Sequence, residues 1–260
     1  METDKMTHPD FCSADFKQAP YWWDRSPRPE IGEFELPSQI DVLVIGSGYT
    51  GLHCALETAR AGRSTLVIDA EDAGWGCSTR NGGQISGEIK PGYEALSRRH
   101  GPDQAFALVR EARDALEWLG EFVAEQGIDC DYQRCGRYLG AHSPRQFDRL
   151  VKRARYQPPG LEQPMRIVGR YDQPAEIDTD YYHGGLVIEH HCALDPARYH
   201  QGLLDLALGN GARVAAHCAA TRVTRTAYGF HVDTSRGPIE TQELVEEWKR
   251  QPCKSIGEHK

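Results

Sequence analysis

The run Ile40-Asp41-Val42-Leu43-Val44-Ile45, leading straight into Gly46-Ser47-Gly48-Tyr49-Thr50-Gly51, constrains the fold more than any other stretch of the chain. An apolar run of this length that stops at glycine reads as a buried strand ending in a tight turn. Leu52, Ala55, Leu56 and Ala59 then recur at helical spacing and give a small-residue face toward a sheet, until Gly62 ends the helix. Residues Ser64 to Ile68 form a second apolar strand with Asp69 at its tip. Strand, glycine turn, helix and strand in that order make a βαβ unit. Its helix N-terminus offers unpaired N–H groups and a positive dipole end to a diphosphate.

Each glycine of the turn has its own expected task. Gly46 permits the turn, Gly48 lets the backbone approach phosphates with no Cβ in the way, and Gly51 lets the helix pack closely on the strand. Asp69 follows at about the 20-residue offset at which an acidic residue accepts ribose hydroxyls, and its charge would repel a 2′-phosphate and so disfavour NADP. The plainer alternative is an ordinary βαβ unit that holds nothing. Directly after this strand comes Gly74-Trp75-Gly76-Cys77-Ser78-Thr79-Arg80-Asn81-Gly82-Gly83-Gln84, whose glycine turns can form an anion nest and whose Arg80 adds a charge-assisted donor. An Asn-Gly-Gly triplet can also be only a turn.

Composition narrows the partners. A net charge of −8 with both signs interspersed leaves no basic stripe for nucleic acid. No apolar run approaches the ~20 residues of a membrane helix, and the polar, acidic residues 1–20 do not read as a signal peptide, so the expected location is the cytoplasm. The eight cysteines are scattered, without zinc-ribbon spacing, and are expected to be reduced thiols; no metal site is expected.

Along the chain, residues 1–37 read as an arm whose Tyr21-Trp22-Trp23 cluster docks on a neighbouring surface. Residues 38–90 carry the βαβ unit and the glycine-rich loop, and residues 91–192 an inserted region. There Pro102 to Gln126 is an amphipathic helix stopped by Gly127, Tyr132 to Ala141 a strand, and Ser143-Pro144 the start of a helix turning Phe147, Leu150 and Val151 inward. Residues 193–240 return to the first domain through a helix from Asp195 to Leu208 and strands at 213–216, 221–224 and 230–234. Residues 241–260 form an atypical tail in which Thr241 to Arg250 reads as a charged helix.

Four features resemble the flavin-dependent oxidoreductases of the D-amino-acid oxidase superfamily, and more narrowly their gamma-glutamylputrescine oxidoreductase branch. They are Pro20-Tyr21-Trp22-Trp23, the Gly46–Gly51 turn with Asp69, the Ser78–Gln84 loop, and Asp195-Pro196-Ala197-Arg198-Tyr199 leading to Ala220-Thr221-Arg222-Val223. The resemblance implies an α/β fold: a Rossmann-like FAD-binding βαβ domain with an inserted, incomplete α+β substrate domain. It implies non-covalent FAD in contact with Gly46, Ser47, Gly48, Thr50, Gly51, Asp69, Ala70, Ser78, Arg80, Asn81, Gly82, Gly83, Gln84 and Ala220. The implied reaction is oxidation of a C–N bond of an amine or amino acid, with a hydride equivalent passing to flavin N5. No catalytic acid or base follows from spacing, although Tyr181, Tyr182 and His183 could wall a substrate.

Members of that family continue further, and the switch in composition after residue 240 reads as a truncation. The expected consequences are a parallel sheet lacking a strand, a flavin ring lacking a wall, and a partner chain that supplies the missing half. A non-catalytic fragment keeping only nucleotide-binding elements is the competing reading, and an NAD-dependent dehydrogenase is disfavoured by the loop at 80–84.

Overall fold

The computed structural model describes Ser13, residues 15–17 and residues 19–246. A short helix α1 (Tyr21–Arg25) precedes β1 (Gln39–Ile45), α2 (Tyr49–Arg60) and β2 (Thr65–Ile68). The chain then runs through β3 (Gln84–Ser86), α3 (Tyr93–His100), α4 (Pro102–Gln126), β4 (Arg137–Gly140), α5 (Pro144–Arg155), β5 (Met165–Val168), β6 (Gly185–Ile188) and β7 (His191–Ala193). It closes with α6 (Pro196–Gly209), β8 (Arg213–Ala215), β9 (Ala220–Thr226), β10 (Gly229–Thr234) and β11 (Gly237–Glu246).

Six strands form the principal sheet in the order β8-β2-β1-β11-β10-β9. The first four are parallel, and β10 runs antiparallel to both β11 and β9. Alternation along the strands divides the core. Val42, Val44, Val67 and Val214 face the helix layer, where they meet Leu52 and Leu56 of α2, Phe122 of α4 and Leu203 and Leu204 of α6. Leu43, Leu66, Ile68 and Ala215 face the other way and share a cluster with Val232 and Ile239, flanked by Phe34 and Leu36 of the arm. A sheet covered on both faces is what an unbroken apolar β1 requires.

Helix ends follow the local chemistry. Ser143 Oγ accepts from Gln146 N to cap α5, Asp195 Oδ1 accepts from Ala197 N and Arg198 N to cap α6, and Gly127 closes α4 in the left-handed conformation at φ 66°. Between β2 and α6 lies the insertion, whose own sheet runs β4-β6-β5. The antiparallel pair β3–β7 joins it to the rest, with Gln84 opposite Ala193 and Ser86 opposite His191.

Several expectations need correction. The charged helix over Thr241 to Arg250 is not formed across its described part: Thr241 to Glu246 continue β11, with Thr241 paired to Ile40 and Glu246 to Ile45. Glutamate and leucine favour helix, but pairing with β1 outweighs that preference. The expected gap in the parallel sheet is therefore filled beside β1, and a boundary at 240/241 cuts through a strand; residues 247–260 lie outside the described residues. The strand expected from Tyr132 to Ala141 shortens to Arg137–Gly140, because Gly136 turns at φ 67° and Gln133 makes only an isolated bridge to Ala193. Phe147, Leu150 and Val151 are only half-buried.

Candidate functional site

The glycine turn lies where β1 passes into α2. Gly46 has φ 104°, and its N–H donates to Ile68 O at 2.8 Å, which ties the turn to the end of β2. A Cβ on Gly51 would come within 2.0 Å of Gly46 O and 3.2 Å of Val44 Cγ1, so close packing of helix on turn admits only glycine there. Gly48 has φ −73°, which any residue adopts. Its backbone does not demand glycine, and the expectation of a cleared path for phosphates rests on its missing side chain alone.

Asp69, 7 % exposed, stands beside the turn. Its Oδ2 accepts from Ser47 N at 2.8 Å and Ser47 Oγ at 2.6 Å, and its Oδ1 accepts from Glu71 N at 3.1 Å. Oδ1 keeps room for one more donor. Ser47 is fully buried, and its carbonyl accepts from His200 Nε2 at 2.8 Å; the carbonyl can only accept, so Nε2 carries the proton. Burial holds His200 below the ordinary imidazole range, so the ring is neutral at pH 7. Ala70 is exposed just past Asp69. The backbone N–H of Cys218 donates to Asp69 O at 2.7 Å, which brings the segment entering β9, and with it half-buried Ala220, to the same end of the sheet.

The loop from Gly74 to Gln84 is laid against this turn. Tyr49 N, in the first turn of α2, donates to Ser78 Oγ at 3.1 Å, and Thr50 beside it is exposed. Asn81 Nδ2 donates to the carbonyls of Cys77 and Ser78 at 3.1 Å, while Asn81 Oδ1 accepts from Gly83 N at 2.8 Å, so the Asn-Gly-Gly triplet is a self-bonded turn. Gly83, at φ 67°, packs so tightly that a Cβ would meet Leu194 O at 2.2 Å. Arg80 is exposed, with its guanidinium 3.9 Å above the Trp75 ring, and Gly82 and Gln84 are exposed as well.

Tyr181, Tyr182 and His183 lie elsewhere, in the insertion before β6. The rings of Tyr181 and Tyr182 meet edge to face at 5.2 Å, and His142 sits 5.1 Å from Tyr182. No hydrogen bond or ring contact among the described residues joins them to the loop. A cavity of about 840 Å³ is lined by Trp23, Arg28, Thr79 and His200 among others; Gly46, Gly48 and Asp69 do not line it. Sequence reasoning missed His200, for which the only cue was a histidine on the buried side of α6, and Thr79, whose hydroxyl is used inside the loop. Among the described residues no cluster of His, Cys, Asp and Glu could hold a metal ion, and no helix is long and apolar enough to cross a membrane.

A parallel sheet, a glycine turn at a helix N-terminus and an acidic residue at the tip of the next strand define the class of dinucleotide-binding α/β folds. Residues 41–245 match the FAD dependent oxidoreductase family, and the chain belongs to it. The family's cofactor is FAD. The chain is 28 % identical to gamma-glutamylputrescine oxidoreductase of Escherichia coli (strain K12), in a match covering 79 % of this chain and 48 % of that protein. It is 25 % identical to probable oxidoreductase OrdL of Haemophilus influenzae, again covering 79 % and 48 %. The chain thus spans about half the length of the curated relatives it matches. Among solved structures, glycine oxidase from Geobacillus kaustophilus superposes with a TM-score of 0.68 at 18 % identity, over 81 % of this chain and 55 % of that one. An L-amino acid deaminase from Proteus vulgaris gives 0.67 at 23 %, over 85 % and 56 %. At those identities the likeness is one of fold.

Proposed function

We propose that this chain holds FAD for the oxidation of a C–N bond in a small amine or amino acid. One observation carries the reading: the Gly46–Gly51 turn, Asp69 and the Gly74–Gln84 loop, distant in sequence, form one hydrogen-bonded unit at the end of a parallel sheet. The residues fit the nucleotide end of the cofactor. Gly48 has no Cβ to obstruct a diphosphate, Thr50 and Gly51 supply first-turn N–H groups of α2, and the free capacity of Asp69 Oδ1 suits a ribose hydroxyl. Exposed Arg80, Asn81 and Gly82 would face the rest of the cofactor, with Ala220 on the adenine side. When bound, FAD supplies the electron acceptor for the oxidation, with hydride arriving at N5. The protein's part is to hold and orient it. Relatives such as gamma-glutamylputrescine oxidoreductase and the fold neighbours glycine oxidase and L-amino acid deaminase support an amine or amino-acid substrate. The proposal includes a partner chain that walls the flavin ring and brings the residues that fix the substrate.

Titration of cofactor-free protein with FAD, followed by flavin fluorescence, tests the reading. Saturable binding is expected. Gly48→Val abolishes it, and Asp69→Ala weakens it by at least about tenfold, the loss of a charged acceptor. Unchanged binding in both variants overturns the assignment. Binding of ADP as tight as that of FAD favours the fragment that holds only the nucleotide.

A further inference from the structure

We infer that the N-terminal arm is part of the cofactor-holding machinery, with Trp23 as a positioning residue that sets the Gly74–Gln84 loop against the glycine turn and Asp69 through a buried chain of hydrogen bonds. Trp23 Nε1 donates to Thr79 Oγ1 at 2.9 Å, and Thr79 Oγ1 donates to Gly74 O at 2.7 Å. Gly74 N donates to Ser47 Oγ at 3.0 Å, and Ser47 Oγ donates to Asp69 Oδ2 at 2.6 Å. Proton counting fixes the direction at every step. An indole N–H can only donate, so the single proton of Thr79 goes on to the Gly74 carbonyl; a peptide N–H can only donate, so the proton of Ser47 goes on to the carboxylate. Thr79, Gly74, Ser47 and Asp69 are all buried, where a missing partner is not replaced by water.

Two further contacts brace the chain. The His200 ring packs on Gly74, where a Cβ would meet it at 2.5 Å, and donates to Ser47 O, holding the two middle residues from α6. Trp22 Nε1 donates to Asn81 O at 2.8 Å, so the neighbouring indole tethers the exposed half of the loop. Arg80, Asn81, Gly82 and Gln84 of the loop are exposed, and the arm supplies tethers from outside the βαβ unit. An arm that only covered apolar surface would not need two indole N–H groups aimed at one loop.

The effect on cofactor affinity rests on the FAD reading above, so the test has a readout that needs no cofactor. Trp23→Phe keeps an aromatic ring and removes the N–H. In amide hydrogen exchange of the full chain, residues 74–83 are expected to exchange about fivefold faster or more, with β1 and α2 unchanged. FAD affinity is expected to fall by about fivefold. Thr79→Val should reproduce both effects, Thr79→Ser should restore them, and Trp23→Phe combined with Thr79→Val should be no worse than Thr79→Val alone. Unchanged exchange at 74–83, equal acceleration of β1, or additive losses in the double variant each overturn the inference. If the unaltered chain takes up no FAD, the proposed function fails while the exchange result still decides the role of the arm.

Discussion

The principal sheet and the sheet of the insertion are both built from short apolar strands, yet they differ in what covers them and in what their polar groups do. β1 and β2 are sandwiched between the helix layer and a second apolar cluster, and Ser47, Asp69, Thr79 and His200 are buried beside them with their hydrogen bonds made. In the insertion only β6 is buried throughout, α5 buries no residue, and Tyr171 and Tyr181 are 97 % and 68 % exposed. The first region is organised before anything binds, which is what the proposed grip on a diphosphate and a ribose requires. The second presents polar aromatic side chains on a less buried support, the kind of surface that is free to vary.

Truncating one leucine in each region breaks the comparison most directly. Leu203 of α6 is fully buried in the helix-layer core, and Leu203→Ala should cost about 3 kcal/mol, the transfer loss plus a cavity in the layer that α6 forms with α2. Leu150 of α5 is half-buried, and Leu150→Ala should cost about 1 kcal/mol or less. Midpoints of urea unfolding measure both. Equal losses would mean that the insertion is packed as firmly as the nucleotide unit, and the contrast would fall.

How much of this was legible follows the same division. The turn, α2 and both caps were readable because each depends on residues within a few positions: Gly46 for its φ, Gly51 for its contact with Gly46, Ser143 and Asp195 for the amides two or three residues on. Ser47 was readable only as a neighbour of a cofactor. That its hydroxyl joins Gly74 to Asp69 depends on segments more than twenty positions away, which no local pattern encodes. The end of the chain misled for the opposite reason, since Thr241 to Glu246 has the composition of a surface helix and becomes a strand only because β1 offers an edge.

That strand gives the next test. In β11, Val245 pairs with Val44, and Val245→Pro should remove a ladder hydrogen bond and cost about 3 kcal/mol. Proline would harm a helix as well, so Glu243→Val discriminates. Glu243 is exposed and its carboxylate lies 3.1 Å from Arg63, an ion pair worth about 0.5 kcal/mol. A strand gains from valine by a similar amount, so the net change should be close to zero, whereas a helix would lose on both counts. A clear destabilisation by Glu243→Val, read from the same unfolding curves, would remove β11 from the sheet.

The smallest effect separates the glycine turn from the antiparallel edge of the principal sheet by the sign of their response to pH. His200 is buried and its pKa lies below the ordinary histidine value, because desolvation of the imidazolium outweighs the bond to Ser47 O. Between the folded and unfolded values the unfolded chain therefore binds more protons, so stability rises with pH through that window and is lost as pH falls below about 6.5. His231 on β10 is the reverse: Glu240, with its Oε1 at 2.5 Å from Nδ1, and then Asp233 raise its pKa at a half-exposed site. Its contribution is complete below the ordinary histidine value and fades as pH rises through the folded one. His53 and His191 are also lowered by burial and share the sign of His200, so the informative quantity is the difference between each variant and the unaltered chain. His200→Gln should flatten the loss of stability on the acid side, and His231→Gln should remove a weaker slope of opposite sign. Urea midpoints across pH 5 to 8 measure both, and slopes of the same sign at the two positions would show that His200 is not held neutral against the glycine turn.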